Sequence, residues 1–444
     1  MRITWLAPEV LVAHELVQSA DEGRDMADLA ARWSAARPVG PTRTARAQAE
    51  AILTELAARP PADPAAEPSD LAAIRALRPA PVALPAVRLT RAEYADRLHG
   101  AWLGRAAGCL LGKPVEKVPR QGIRALLDST GRWPLRAYFT AVGLAPEVAA
   151  AHPWNAGSRT TSLAEHITEM PEDDDLNYAL LNLGVLERRG EHFTTDDVAQ
   201  AWLQSLPVLT TFTAERVAYR NLLDYREPPE TAWHRNPYRE WIGAQIRGDV
   251  FGWTRPCRPQ DAAELAWRDA RLSHTANGIY GEMFVAALLA ALPACTDLLG
   301  AVAAALAEIP ATSRYAGAVR RAADVASAEP DWERVVDVLA ADHGRRHWVH
   351  VLNNAALVVA ALVHGRGDFA RSICAVVMGG WDTDSNGATV GSVLGLAVGA
   401  RQLPEPWVAP LRNRLRSSLK GFDGIGFDAL ATRTLAQVPA ELLA

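Results

Sequence analysis

Cysteine is scarce in this chain: Cys109, Cys257, Cys295 and Cys374 are the four among 444 residues, with no C-x-x-C pair. Such wide spacing argues against a disulfide framework or a zinc knuckle, and it suits a reducing compartment. A basic excess is missing as well. Lys and Arg total 46 against 51 Asp and Glu, a net charge of −5, so no broad surface for nucleic acid or anionic membrane is expected. No uninterrupted apolar run reaches the roughly 20 residues of a membrane span. Glu9 and Glu15 interrupt what would have to be the apolar part of an export signal. These absences predict a soluble, cytoplasmic protein with no membrane partner and no stable nucleic-acid partner. Period-two alternation of Val and Ile is rare too, which leaves little for a β-sheet.

What is plentiful is apolar sequence at helical spacing. Hydrophobic residues make up 49% and charged residues 22% of the chain, enough for a sizeable core. The periodicity predicts helices over 8–20, 26–35 and 45–58, then over 91–112, 176–188, 277–292, 314–328, 349–364 and 388–400. Seven prolines crowd 59–88, which stops helices and stiffens a connection. The region 207–260 is rich in Pro, Trp and Arg and is expected to be irregular. The fold class is therefore all-α. A small helical N-terminal extension occupies 1–58, a proline-rich linker 59–90, and the main domain 91–444.

Two acidic motifs stand at expected helix starts. The first, Glu172-Asp173-Asp174-Asp175, follows Pro171 and precedes Leu176, Leu180, Leu183 and Leu186. One Asp there is an ordinary cap that complements the helix dipole. Four adjacent acids repel one another, so a metal site and a solvated acidic turn both remain open. The second is Gly379-Gly380-Trp381-Asp382-Thr383-Asp384-Ser385-Asn386-Gly387, flanked by Ile373–Met378 and Val390–Val398. Apolar flanks bury the aspartates, and buried carboxylates need partners or a cation. No Lys or Arg lies between Arg371 and Arg401, which points to a metal. An EF-hand loop would need a bidentate Glu at its twelfth position, where Val393 stands. With oxygen donors alone, the set suits magnesium, manganese or calcium over zinc or copper.

A third feature is Gly100, Gly104, Gly108 and Gly112, spaced every four residues. All four share one helix face, where a neighbouring backbone or a ligand can approach closely. The run GCLLGKP is one residue short of a P-loop and has Pro114 in place of the Ser or Thr. Pro114 ends the helix and leaves Glu116 on a loop at its C-terminal end.

These three places, in this order, resemble the ADP-ribosylglycohydrolase family, which includes the dinitrogenase-reductase-activating glycohydrolases. Gly100–Glu116 is similar to its glycine-rich first helix, Glu172–Asp175 to its T-D-D-T motif, and Gly379–Ala388 to its G-G-D-T-D-T-x-G-A motif. The resemblance covers roughly 91–400. The chain departs from the pattern at Glu172 and Asp175 (for Thr), Ser385 (for Thr) and Cys109 (for Asp). Trp381 is inserted beside the last motif. These changes suggest a divergent bacterial branch.

The resemblance implies an orthogonal helical bundle with two magnesium ions, or manganese, at the bottom of a cleft. It implies metal ligation by Glu172, Asp173, Asp174, Asp382, Asp384 and Ser385. Glu116 would be the acid/base or electrostatic group, with Asp173 and Asp384 also serving catalysis. Ribosyl transfer passes through an oxocarbenium-like state that such carboxylates stabilise. The implied reaction is hydrolysis of an ADP-ribosyl bond to a protein, nucleic acid or small molecule, by a monomer or homodimer. Two alternatives stay open: a ribosyl hydrolase acting on a nucleoside-like metabolite, and an ADP-ribose-binding protein without turnover. His274, in SHTANGIYGEMF, could contact phosphate or ribose, or cap and pack a helix. Gly108 and Gly112 are candidate ligand contacts on the same terms. His343, His347 and His350 lack the Glu of H-E-x-x-H and are expected to be structural. Trp348, Tyr280 and Trp381 could stack on a base or belong to the core.

Overall fold

A computed structural model describes residues 3–36, 42–59 and 65–444. Among the described residues there are 22 α-helices and no strand, only isolated bridges such as Trp241 with His350. Ten of the helices position the site. They are α1 (Pro8–Asp21), α2 (Ala27–Ala35), α3 (Arg43–Ala57), α4 (Leu71–Ala76), α5 (Arg91–Gly112), α6 (Asp174–Arg189), α7 (Ala276–Ala291), α8 (Val351–Gly365), α9 (Phe369–Met378) and α10 (Thr383–Val398). The all-α expectation is borne out.

Local sequence explains where the central helices begin. Thr90 accepts from the Glu93 N–H at 3.3 Å while Glu93 accepts from the Thr90 N–H at 3.1 Å, a reciprocal capping box that starts α5. Its glycine face then packs on α10. A Cβ on Gly100 would lie 2.3 Å from the Gly395 carbonyl oxygen, and one on Gly104 2.1 Å from that of Gly391. Any side chain would hold the two backbones apart, so glycine is required at each crossing point. Gly100 pairs with Gly395 and Gly112 with Thr383, so the helices run antiparallel. The C-terminal end of α5 therefore meets the N-terminal end of α10.

Helix α10 starts at Thr383 rather than at 388. Asp-Thr-Asp-Ser-Asn-Gly carries no apolar rhythm, yet small polar residues suit a first turn. This places Asp384 and Ser385 inside the helix. Helix α7 opens a long apolar stretch: Ala276–Ala294 has the length and hydropathy of a membrane span, but 94% of its most apolar window is buried within the protein.

Two stretches differ from expectation. The region 207–260 holds an 11-residue helix, Thr213–Leu223, and shorter turns at Ile242–Arg247 and Asp249–Trp253; its prolines fall outside these three elements. In the proline-rich stretch, Asp70 caps α4 by accepting from Ala72 and Ala73 N–H groups. Glu67 pairs with Arg314, the Pro68 carbonyl accepts from the Tyr280 hydroxyl at 2.5 Å, and the Ser69 carbonyl from Trp267 at 2.9 Å. The described part of this stretch is thus fastened to the helical body. Pro60, Pro61 and Pro64 lie outside the described residues.

Candidate metal centre and cleft

The end-to-end meeting of α5 and α10 fixes one half of the site. The Thr383 hydroxyl donates to the Gly112 carbonyl at 2.9 Å, holding the chain that turns away toward Glu116. Before α10, Gly380 and Trp381 both have positive φ, 82° and 58°, a left-handed reversal that swings Asp382 into the cap position. The Asp382 N–H donates to Asn354 Oδ1 at 3.2 Å, and Asn386 Nδ2 donates to the same oxygen at 2.7 Å. Helix α8 thereby fixes the motif from behind.

The other half comes from the start of α6. Asp173 caps that helix, its Oδ1 accepting from the Asp175 N–H at 2.9 Å. Its second oxygen accepts from the ammonium of Lys113, which also reaches the Glu172 carbonyl at 3.1 Å. Asp175 turns inward, where Arg105 donates to its carbonyl at 2.7 Å and Ser385 Oγ donates to its Oδ2 at 3.1 Å. Arg105 is fully buried and also pairs with Asp249 at 2.9 Å. Asp174 has no hydrogen-bond donor or cation on its carboxylate among the described residues. Carboxylates in the first turns of α6 and α10 are favoured by both helix dipoles.

Both halves line one cavity of about 900 Å³, with Glu116, Glu172, Asp173, Asp174, Asp382 and Asp384 among its walls. Glu116 is half-buried, accepting from Asn155 Nδ2 at 2.5 Å and pairing with Lys117 at 3.0 Å. Crowding sets the electrostatics. Burial, then Asp173, Asp384 and Glu116, pushes Asp174 well above the usual carboxylate range. Burial, then Asp384 and Glu116, does the same to Asp382. Burial and then Glu116 push Asp384 up to about 7. Asp173 moves the other way: burial pushes it up, but Lys113 outweighs that and holds it low.

The donor set fits hard cations. Asp174, Asp382, Asp384 and Glu116 are mutually repelling oxygen donors for which Lys113, Arg105 and Lys117 compensate incompletely. A second grouping, Cys109 with Asp173 and Asp175, has ligand atoms within 4.8 Å of one another and could hold an ion. There, however, burial keeps the Cys109 thiol protonated, and both aspartates already face cations. The first grouping, whose Asp174 carboxylate has no such partner among the described residues, is the better seat for a hard cation.

The model of the ADP-ribosylglycohydrolase family matches residues 90–439. The chain belongs to the ADP-ribosylglycohydrolase family. The match takes in α5, Glu116 and both acidic motifs, and it supports glycohydrolase activity. No curated protein matches the chain. A solved structure described as an ADP-ribosylglycohydrolase-related protein complex is 20% identical, covering 78% of this chain and 100% of that chain, with a TM-score of 0.48.

Not every candidate residue reaches the cavity. Gly108 and Gly112 do not face it: a Cβ on either would strike Gly387 or Thr383 backbone at 1.9 and 2.2 Å. Their role is helix contact. His274 is fully buried behind the wall, with Nδ1 2.8 Å from Ser273 Oγ, and burial followed by Arg247 holds its pKa far down. Glu172 is exposed at the rim and accepts from Asn177 at 3.2 Å. His347 stacks on Trp241, and His350 caps α8, as the absence of a zinc motif suggested. Trp348 lines the cavity, whereas Tyr280 is core.

Other residues at the site had no signal in the sequence. Lys113 stands in the GCLLGKP run, which is not a P-loop, and Asn155 and Ser158 in a loop without a motif. Glu215 lines the cavity from Thr213–Leu223 and pairs with Arg247 at 2.9 Å. Burial, opposed by Arg247, raises Glu215 to about 7.

Proposed function

We propose that the protein hydrolyses the glycosidic bond at the anomeric carbon of a ribosyl group, with ADP-ribosyl compounds as the family's substrate class and two magnesium ions as cofactor. One observation carries the reading: Asp174, Asp382, Asp384 and Glu116, from three separate motifs, line one cavity. Asp174, Asp382 and Asp384 would hold the ions, with Asp173 kept ionised beside them by Lys113 and Ser385 ordered by Asp175. Bound divalent cations supply charge neutralisation and fixed positions for ribose hydroxyls or a water.

The chain's own residues do the remainder. Glu116, held by Asn155 and Lys117, stands on the floor where it can take a proton from the attacking water. The surrounding carboxylates stabilise positive charge developing on the ribose ring. Water oxygen joins the anomeric carbon as the leaving group departs with its bonding pair and the proton. A cytoplasmic location is part of this reading, supported by the four unpaired cysteines.

The test is release of free ribose or ADP-ribose by the full-length protein with magnesium or with a chelator. Substrates should include ADP-ribosylated arginine, ADP-ribosylated serine, ADP-ribosylated nucleotide and simple N-ribosides. Magnesium-dependent release from any of these supports the reading. Binding of ADP-ribose without turnover of any substrate would replace it with a binding function, and neither binding nor turnover would refute it.

A further inference from the structure

The cavity has a wall that none of the acidic motifs supplies. Ile3, Thr4, Trp5 and Val10 line the same space as Asp382 and Asp384, and all four precede the family match at 90–439. This segment is held firmly. Arg216 donates to the Thr4 hydroxyl at 2.6 Å and to the Leu209 carbonyl at 3.1 Å, tying the segment to the neighbouring loop. The Trp5 ring meets Tyr238 and Trp241 edge-on at 5.6 and 6.0 Å. Behind it, Arg239 grips Glu15 of α1 through two contacts of 2.9 Å.

The chemistry of this wall is unlike the floor. Ile3, Leu209 and Phe212 all line the cavity while 37%, 54% and 44% exposed. Large apolar side chains left in water around one cavity mark a binding surface. The rest of the lining carries eight carboxylates and two lysines, and both lysines are already paired, with Asp173 and Glu116. Neither lysine is free for a phosphate, which favours a neutral or cationic group against this wall. The volume lies within the roughly 300–1,000 Å³ of small-molecule sites.

We infer that the N-terminal segment is a specificity wall that, with Leu209 and Phe212, receives a planar heterocycle linked through nitrogen to the ribosyl group. The inference rests on the ribosyl-hydrolase reading and narrows its substrate to a low-molecular-weight N-riboside. In the reaction the C–N bond breaks with its electron pair going to the ring nitrogen, and water oxygen bonds to the anomeric carbon. The proton lost by water goes to a neutral heterocycle, or to solvent when the heterocycle was cationic and leaves uncharged.

Steady-state kinetics of the full-length protein with magnesium test this on nicotinamide riboside, adenosine and an ADP-ribosylated polypeptide. At least one N-riboside should exceed the polypeptide in kcat/KM by about tenfold or more. Ile3→Ser and Phe212→Ser should raise KM for that riboside about tenfold with kcat within about twofold, the pattern of lost uniform binding. Both side chains are exposed, and Ile3→Val should restore the wild-type KM. Preference for the polypeptide, or a KM unmoved in both variants, would overturn the inference while leaving ribosyl hydrolysis standing. Failure of wild-type protein to hydrolyse any of the three would overturn the inference, and ribosyl hydrolysis falls with it only when the ADP-ribosylated arginine, serine and nucleotide substrates are also left intact.

Discussion

Gly108 and Gly387 meet backbone to backbone: a Cβ on the first would lie 1.9 Å from the second's carbonyl oxygen, and a Cβ on the second 2.2 Å from the first's. Neither neighbour is a side chain that could rotate away, so relief requires the helices to separate. Gly108→Ala should cost about 1–3 kcal/mol, the range for overpacked cores, and should displace Asp384 from Glu116. Thermal unfolding and magnesium titration check it. A variant with unchanged Tm and unchanged magnesium affinity would show that the contact is not tight in solution.

Asp384→Asn removes one of several crowded carboxylates. In chelator the variant should unfold at a higher temperature than wild type, because burial and Glu116 disfavour the charge there. With magnesium the order should reverse, as wild type gains ion-binding energy that the variant lacks. Asp382→Asn should behave alike. Equal magnesium stabilisation of wild type and both variants would remove these residues from the ligand set.

Glu116→Gln keeps the shape of the side chain and its neighbour Asn155 but loses the proton acceptor. Magnesium binding should persist within a few fold while kcat falls by about 10²–10⁴, the usual worth of a positioned acid or base. An unaltered kcat would assign Glu116 to structure alone.

The pH dependence of the metal-free protein follows from Asp384, raised from 3.8 to about 7 by burial and then Glu116. A group with a raised folded-state pKa contributes stability that is present below its unfolded value and lost as pH rises through the folded one. Metal-free wild type should therefore lose stability from about pH 4 to pH 7. In Asp384→Asn that slope should be shallower. Unfolding midpoints in chelator across that range measure the difference, and identical slopes would contradict the assignment.

How much of this was legible beforehand depended on whether a residue's partners were near in sequence. Asp382 and Asp384 declared themselves through the apolar runs on both sides, which forced them inward. The glycine spacing declared a close approach but not its partner, so Gly108 and Gly112 read equally well as ligand contacts until α10 filled the space. No cation lies near Asp382 in sequence between Arg371 and Arg401, whereas Arg105 arrives from α5 and Lys113 from the turn that follows it. His274 looked like a site residue because of its polar, glycine-containing context; three-dimensional burial behind Glu215 and Arg247 removes it. The wall formed by Ile3 and Trp5 left no trace, since its role exists only once α1 is clamped by Arg239.

The Thr383–Gly112 hydrogen bond joins residues 271 positions apart, and the acidic floor exists only where that seam has closed. Contacts of such long range are slow to form, because loop closure comes before any compensating interaction. During synthesis, a nascent chain that has emerged only as far as α9 holds Glu116 and Asp174 but no α10 to bring against them. Assembly of the acidic lining is therefore a late event in this protein's maturation.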